Sequence, residues 1–364
     1  MREDRPDRGA DDGSPPTVGA RSLLGLLTSL PGRRDDVIAV VNGLFGDALD
    51  ERDSQFATPM TFRAGAVVLP LERDTPRAAL AELIPDATPR ICLLVHGLMS
   101  TESVWGFPGD ASTTYGTLLA RDHGVTALTV RYNTGRHIST NGRELAEILS
   151  WLMRAWPVPV REINLIGHSM GGLVVRSACH YARTVRPRGR RLPVGRRWTS
   201  RVRRVVLIGV PNTGAPLEVL VNTVSAGLWA LPVPATRLVG LGLDRRSAGI
   251  KDLRFGAIAD EDWLEQDPGT RSPRHPHRAL RLPRARCLTI AGIVTADPEH
   301  PLAKVVGDAL VTSPSASGLT RQAGVEEELF AGATHHLFPK VSHIALAHHA
   351  DAHAVIDAWW PSPA

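Results

Sequence analysis

Cysteine is scarce in this chain of 364 residues, which has only Cys92, Cys179 and Cys287. Their odd number and wide spacing exclude a disulfide framework and a cysteine-based metal signature. Each lies in an apolar strand or helix pattern and reads as a small buried hydrophobe. Long apolar runs are missing as well. No stretch reaches the ~18 consecutive apolar residues of a spanning helix. The chain is therefore expected to be soluble or at most peripheral to a membrane, and cytoplasmic. A secretory leader is not expected, because Leu23-Leu24-Gly25-Leu26-Leu27 follows a long stretch of mixed charge and precedes no Ala-x-Ala site. Lysine is nearly absent, so the net charge of +5 is carried almost wholly by arginine. Ten arginines lie between Arg183 and Arg204, and six between Arg271 and Arg286. Without aromatic interleaving or a nucleic-acid motif they read as solvated loops, and no nucleic-acid partner is expected. No Gly-x-Gly-x-x-Gly follows a strand, and phosphate-loop and His-Glu-x-x-His motifs are also missing. No cofactor and no metal are expected.

What the chain does have is Gly167-His168-Ser169-Met170-Gly171, of the form Gly-x-Ser-x-Gly. The apolar run Ile163-Asn164-Leu165-Ile166 before it reads as a buried strand. Gly172 to Ala178 after it reads as a helix. A serine on a sharp strand-to-helix turn has its hydroxyl pushed out above the sheet. The flanking glycines are needed because side chains there would meet neighbouring backbone. The pattern predicts a nucleophile elbow with Ser169 as nucleophile.

Further strands are predicted at 90–95, 124–130, 204–209 and 287–292, with a short early strand or hairpin within 61–71. Helices are predicted within 21–50, from Asn141 to about Trp156, where Pro157 ends it, and from about His343 to Trp360. Strands alternating with helices argue for an α/β fold with a mainly parallel sheet covered on both faces. The expected organisation is a disordered tail (1–20), amphipathic helices and early strands (21–89), and a core in two parts (90–212 and 287–364). The interval 213–286 reads as a cap or lid insertion, since it leaves a strand's carboxyl end, where ligands of open α/β sheets bind. Its run Leu217 to Pro234 is almost continuously apolar, and Leu228 and Trp229 within it are candidate substrate-binding residues. The helical segment at 21–50 is expected to pack on the core, with contact to a membrane surface as the alternative.

Serine needs a general base in reach, and the base needs an orienting acid. In this arrangement the chain order is Ser, then Asp or Glu, then His. His343, in the turn before the last helix, is the favoured base. His335 and His336 are its rivals, while His348, His349 and His353 read as helix-face residues. Asp308 is the favoured acid. Asp297 and Glu299 also qualify by position. Two backbone N–H donors should face the developing oxyanion, and Leu98, after His96-Gly97, and Met170, after the nucleophile, are the candidates. His96 and His168 read as residues that hold the structure through hydrogen bonds.

Taken together, Leu93-Leu94-Val95-His96-Gly97-Leu98, Ile166 to Gly172, Gly209-Val210-Pro211-Asn212-Thr213-Gly214-Ala215-Pro216, Gly307-Asp308-Ala309-Leu310-Val311 and Ser342-His343 resemble segments of bacterial lipase- and esterase-like α/β-hydrolases. A branch similar to the GPI inositol-deacylase domain is included. The resemblance implies the α/β-hydrolase fold, Leu98 as an oxyanion donor, Asp308 as triad acid and His343 as base. Ala309 departs from the usual glycine after the acid. His343 lacks the nearby acid that accompanies calcium in some secreted lipases, so no calcium site is expected.

The reading that follows is a serine hydrolase of acyl or lipid esters working through an acyl-enzyme. An acyltransferase with the same triad is the alternative, and a non-catalytic hydrolase-like binding protein is a third. The natural ester and the oligomeric state are not written in the sequence.

Overall fold

The computed structural model describes residues 34–184, 198–216, 247–264, 282, 284–293, 311–322, 325–330 and 332–361. The N-terminal tail and parts of both arginine-rich stretches lie outside these residues. So do Asp297, Glu299, Asp308, Leu228 and Trp229.

The core is an eight-stranded sheet built from β1 (Thr61–Ala64), β2 (Val67–Leu69), β3 (Arg90–Val95), β4 (Thr126–Arg131), β5 (Glu162–His168), β6 (Val202–Ile208), β7 (Arg286–Ile293) and β10 (Thr334–Pro339). Its order is β10-β7-β6-β5-β3-β4-β1-β2. All pairings from β10 to β4 are parallel, and the β1–β2 hairpin joins β4 antiparallel. A separate antiparallel pair is formed by β8 (Leu319–Gln322) and β9 (Val325–Glu328). The helices, in chain order, are α1 (Arg34–Glu51), α2 (Arg77–Leu83), α3 (Tyr115–His123), α4 (Ile138–Ala155), α5 (Met170–Thr184), α6 (Ala248–Phe255), α7 (Glu261–Leu264), α8 (Ser313–Ser317) and α9 (Ala350–Trp359). No helix among the described residues is long and apolar enough to cross a membrane.

Alternation along the strands divides the interior in two. Ile91, Leu93 and Val95 join Leu145, Leu149 and Leu152 of α4 and Leu173 and Val174 of α5 on one face. Cys92, Leu94, Val206 and Ile208 turn to the other face, where Tyr115, Leu119, Ile356 and Trp360 cover them. A sheet buried on both faces needs continuous apolar strands, and β3 and β6 have them. Burial is complete at Cys92 and nearly so at Cys179, and it pushes both thiols up, Cys179 to about 12.

Three expectations need correction. The last strand is β10, not the strand at 287–292. It lies at the sheet edge parallel to β7, so His335 and His336 are strand residues and not part of a loop beyond the sheet. The final helix does not start at His343; a 3-10 turn (Ala345–His348) precedes α9, and the break falls at His349. The long helix starts at Ile138, three residues before Asn141, because its first N–H is capped from a distant segment. The Asp252 carboxylate accepts the Ile138 N–H at 2.8 Å.

The described part of the long insertion sits tightly on the core. The Gly249 N–H donates to the Gly135 carbonyl at 3.0 Å. The Ser247 hydroxyl donates to the Gly43 carbonyl of α1 at 2.7 Å, and the Ser177 hydroxyl of α5 to the Ile258 carbonyl at 2.6 Å. Arg143 pairs with Asp260. The Trp263 ring stacks on His137 with centroids 3.7 Å apart. On the other side, α1 packs Val37, Val41 and Leu44 against Phe56 and Ile250.

Candidate active site

The site forms where β3 and β5 end. Ser169 has φ +55, in the left-handed region that side-chain-bearing residues avoid. Two backbone bonds fix it there. Its N–H donates to the Ile208 carbonyl at 2.8 Å, and its own carbonyl accepts the Gly172 N–H at 3.0 Å. Methyl groups on Gly167 or Gly171 would run into Gly172 backbone or into the carbonyl oxygens of Val95 and His96. The tight turn therefore requires both glycines. Ser169 remains partly exposed between buried neighbours.

Strain gathers around this point. Met99 has φ +57 and Lys340 has φ +60, so three of the four non-glycine residues described with positive φ lie at the elbow, in the loop after β3 and in the turn leading to His343. Such outliers persist where surrounding structure over-determines them, and they cluster at functional sites.

The loop after β3 lies against the nucleophile. A methyl placed on Gly97 would sit 2.8 Å from Ser169 Cβ and 3.3 Å from Ser169 Oγ. Only glycine allows this approach. Among the described residues, neither the Leu98 nor the Met170 backbone N–H has an acceptor. Met170 is the first residue of α5, so its N–H is one of the four that a helix start leaves open. Its side chain is fully buried, and Leu98 is half-buried against α1.

His96 shapes this loop from inside. A carbonyl can only accept, so the contact of 2.9 Å between His96 Nδ1 and the Gly97 carbonyl makes Nδ1 the donor. The ring is stacked on Tyr132 with centroids 4.7 Å apart. Burial drives the pKa of His96 down to about 4, only partly offset by the bond to Gly97. A second base is not needed to explain it.

His343 is buried, at 5% exposure, in the turn between β10 and the 3-10 segment. His168 ties that turn to the elbow. Its Nε2 donates to the His343 carbonyl at 3.0 Å, and the two rings are 4.9 Å apart. Trp105 packs edge-on to His168 at 6.2 Å. The structure thus brings Gly97, with Leu98 next to it, against Ser169, which Met170 follows, and ties His343 to His168, the residue before Ser169. Of the other histidines, His335 is 2.6 Å from Thr289 Oγ1 on the sheet edge. His348 lies in the 3-10 turn and not on a face of α9 as expected, and its Nδ1 donates to the Val104 carbonyl at 2.9 Å.

The segment with Asp297 and Asp308 leaves β7 after Ile293 and is next described at Val311, which packs on Ala291 of that same strand. This return point is fastened to the loop after β6. Asn212 Nδ2 donates to the Ala316 carbonyl at 3.0 Å, and Arg176 of α5 donates to Asn212 Oδ1 at 3.1 Å.

Sequence reasoning missed Tyr132, Asn133 and Thr134. They follow the carboxyl end of β4, the edge at which ligands of open α/β sheets bind. That position, combined with three consecutive polar side chains, was the signal available.

The family model described as "Alpha/beta hydrolase family" matches residues 92–358. The chain belongs to this family. Its alpha/beta hydrolase fold is similar to that of Bacillus licheniformis lipase BlEst2 in mature form, at 20% identity and TM-score 0.46, with 83% of this chain and 98% of that one covered. Lipase 1 from Pelosinus fermentans matches at 16% identity and TM-score 0.41, over 74% of this chain and 97% of that one. A thermophilic esterase from Thermogutta terrifontis matches at 13% identity and TM-score 0.40, over 75% and 90%. No curated protein matches the chain. At these identities the likeness among alpha/beta hydrolases is one of fold, and the chemistry has to be argued from the site.

Proposed function

We propose that the chain is a serine ester hydrolase that cleaves carboxylic acyl esters through an acyl-enzyme. Ser169 Oγ attacks the ester carbonyl, and the His343 imidazole takes the hydroxyl proton. Asp308 orients that imidazole. The Leu98 and Met170 N–H groups receive the negative charge on the tetrahedral oxygen, each worth roughly 10²–10³ in rate. His343 then returns the proton to the leaving alcohol. Water, deprotonated by the same imidazole, releases the acid and restores Ser169.

The observation that carries this reading is the left-handed Ser169 at φ +55, with Gly97 pressed against its hydroxyl. It supports the reading because a partly exposed serine lies in a strained turn next to a loop and a helix start whose N–H groups have no acceptor among the described residues. The acyl group we assign is a longer, lipid-like chain, on the strength of the apolar run Leu217 to Pro234 that includes Leu228 and Trp229.

Hydrolysis of nitrophenyl esters of graded chain length tests both parts. Ser169→Ala is expected to lose turnover by roughly 10⁴–10⁶-fold. Retained turnover in that variant contradicts the mechanism. A preference for acetyl over longer acyl chains contradicts the lipid-like substrate and leaves the mechanism standing.

A further inference from the structure

The backbone that carries the Leu98 N–H is gripped on both sides by the loop after β4. We propose that Thr134, acting with Tyr132, is a positioning residue for ester hydrolysis: the pair clamps His96–Met99 so that the Leu98 N–H faces the oxyanion. The inference rests on the ester-hydrolase reading above.

Three carbonyl or N–H groups in succession are held. The Tyr132 hydroxyl donates to the His96 carbonyl at 2.8 Å. The Gly97 carbonyl takes the His96 Nδ1–H at 2.9 Å. The Met99 N–H donates to Thr134 Oγ1 at 3.2 Å. A trans peptide is planar, and its C=O and N–H point in opposite directions. Holding the Gly97 carbonyl therefore aims the Leu98 N–H, which belongs to the same peptide unit. Thr134 controls the following unit. Met99 is in the left-handed region, which its side chain resists. Without the Thr134 oxygen, Met99 can relax to negative φ, and the chain on the far side of Leu98 swings with it.

The clamp has rigid footing. Tyr132 and Thr134 are buried. Between them, Asn133 Nδ2 donates to the Gly46 carbonyl of α1 at 2.8 Å, and the Asn133 carbonyl accepts from Asn141 Nδ2 of α4 at 2.9 Å. One residue on, the Gly135 carbonyl accepts the Gly249 N–H of α6. Three helices thus hold the loop that holds the donor.

The test is steady-state hydrolysis of a nitrophenyl ester by the full chain, with thermal unfolding recorded on the same samples. Thr134→Val keeps the shape and removes the acceptor, whereas Thr134→Ser keeps the oxygen. Thr134→Val is expected to lower kcat roughly ten- to hundredfold with KM within about threefold of the parent, because the Leu98 N–H that it misplaces meets its acceptor only as charge develops on the substrate oxygen. Thr134→Ser is expected within about threefold of the parent in both constants. Tyr132→Phe should lower kcat in the same sense. A Thr134→Val protein with parental kcat overturns the role. So does a Thr134→Ser variant as impaired as Thr134→Val, or a kcat loss that only mirrors a lost folded fraction. If Thr134→Val does not fold, Tyr132→Phe decides: lowered kcat at unchanged KM supports the clamp, and parental kcat overturns it. A parent protein that neither turns over the ester nor reacts with a fluorophosphonate defeats the hydrolase reading itself. A parent that does both, with unaltered variants, defeats only the clamp.

Discussion

His96 is sealed from water, and this has a consequence for stability. In the folded chain it stays neutral down to about pH 4, whereas in the unfolded chain it takes a proton near its ordinary value of 6.5. Between those limits the unfolded state binds a proton that the folded state refuses. Its contribution is fully present above pH 6.5 and is lost as pH falls toward 4, on the order of 3 kcal/mol in all. Urea unfolding followed from pH 7 to pH 4 should show that loss, and His96→Gln should flatten it. An unchanged acid slope in the variant contradicts the assignment. His96 and Ser169 were both legible in the sequence, because His-Gly and Gly-x-Ser-x-Gly are local signals with a local cause. Thr134 was legible only by its place after β4, not by what it holds. Its role depends on a bond to Met99, 35 residues away, that only the folded loop creates.

At the scale of elements, the site is assembled by helices that grip loops. The clearest case is α4, whose first N–H is capped by Asp252 of α6 and not by its own N-cap residue, His137. Burial raises the pKa of Asp252, and His137, with Nδ1 at 3.1 Å from both carboxylate oxygens, works against that rise. Asp252→Ala leaves the Ile138 N–H buried without an acceptor. The expected cost is about 1–3 kcal/mol by denaturant unfolding with an unchanged m value. A variant as stable as the parent would show that α6 is not anchored there. The sequence marked the central strands well, since a strand buried on both faces must be continuously apolar, as in Ile91 to Val95. It missed β10, where Thr334-His335-His336-Leu337-Phe338-Pro339 has one exposed edge and mixed polarity. Edge strands need no apolar run, so composition hides them. It also placed the start of α4 three residues late, because the cap is supplied by a segment over a hundred residues downstream.

For the whole molecule, the sheet order and the match over residues 92–358 make the chain an alpha/beta hydrolase. Three parts of the chain meet around the elbow: the loop after β3 lies against Ser169, and the turn after β10 lies against His168 beside it. Their meeting follows from parallel strands, which direct every carboxyl end to one edge. That Ser169 and His343 stand at this edge could be read in advance for the same reason. The distant supports could not, because α1, α6 and the loop after β4 reach the site only through packing. Covalent capture of Ser169 tests the central claim most directly. Folded protein treated with a fluorophosphonate and analysed by peptide mass spectrometry should carry one adduct, on Ser169, with ester turnover lost in step with labelling. No adduct, or an adduct elsewhere with turnover intact, would contradict the assignment of Ser169 as nucleophile.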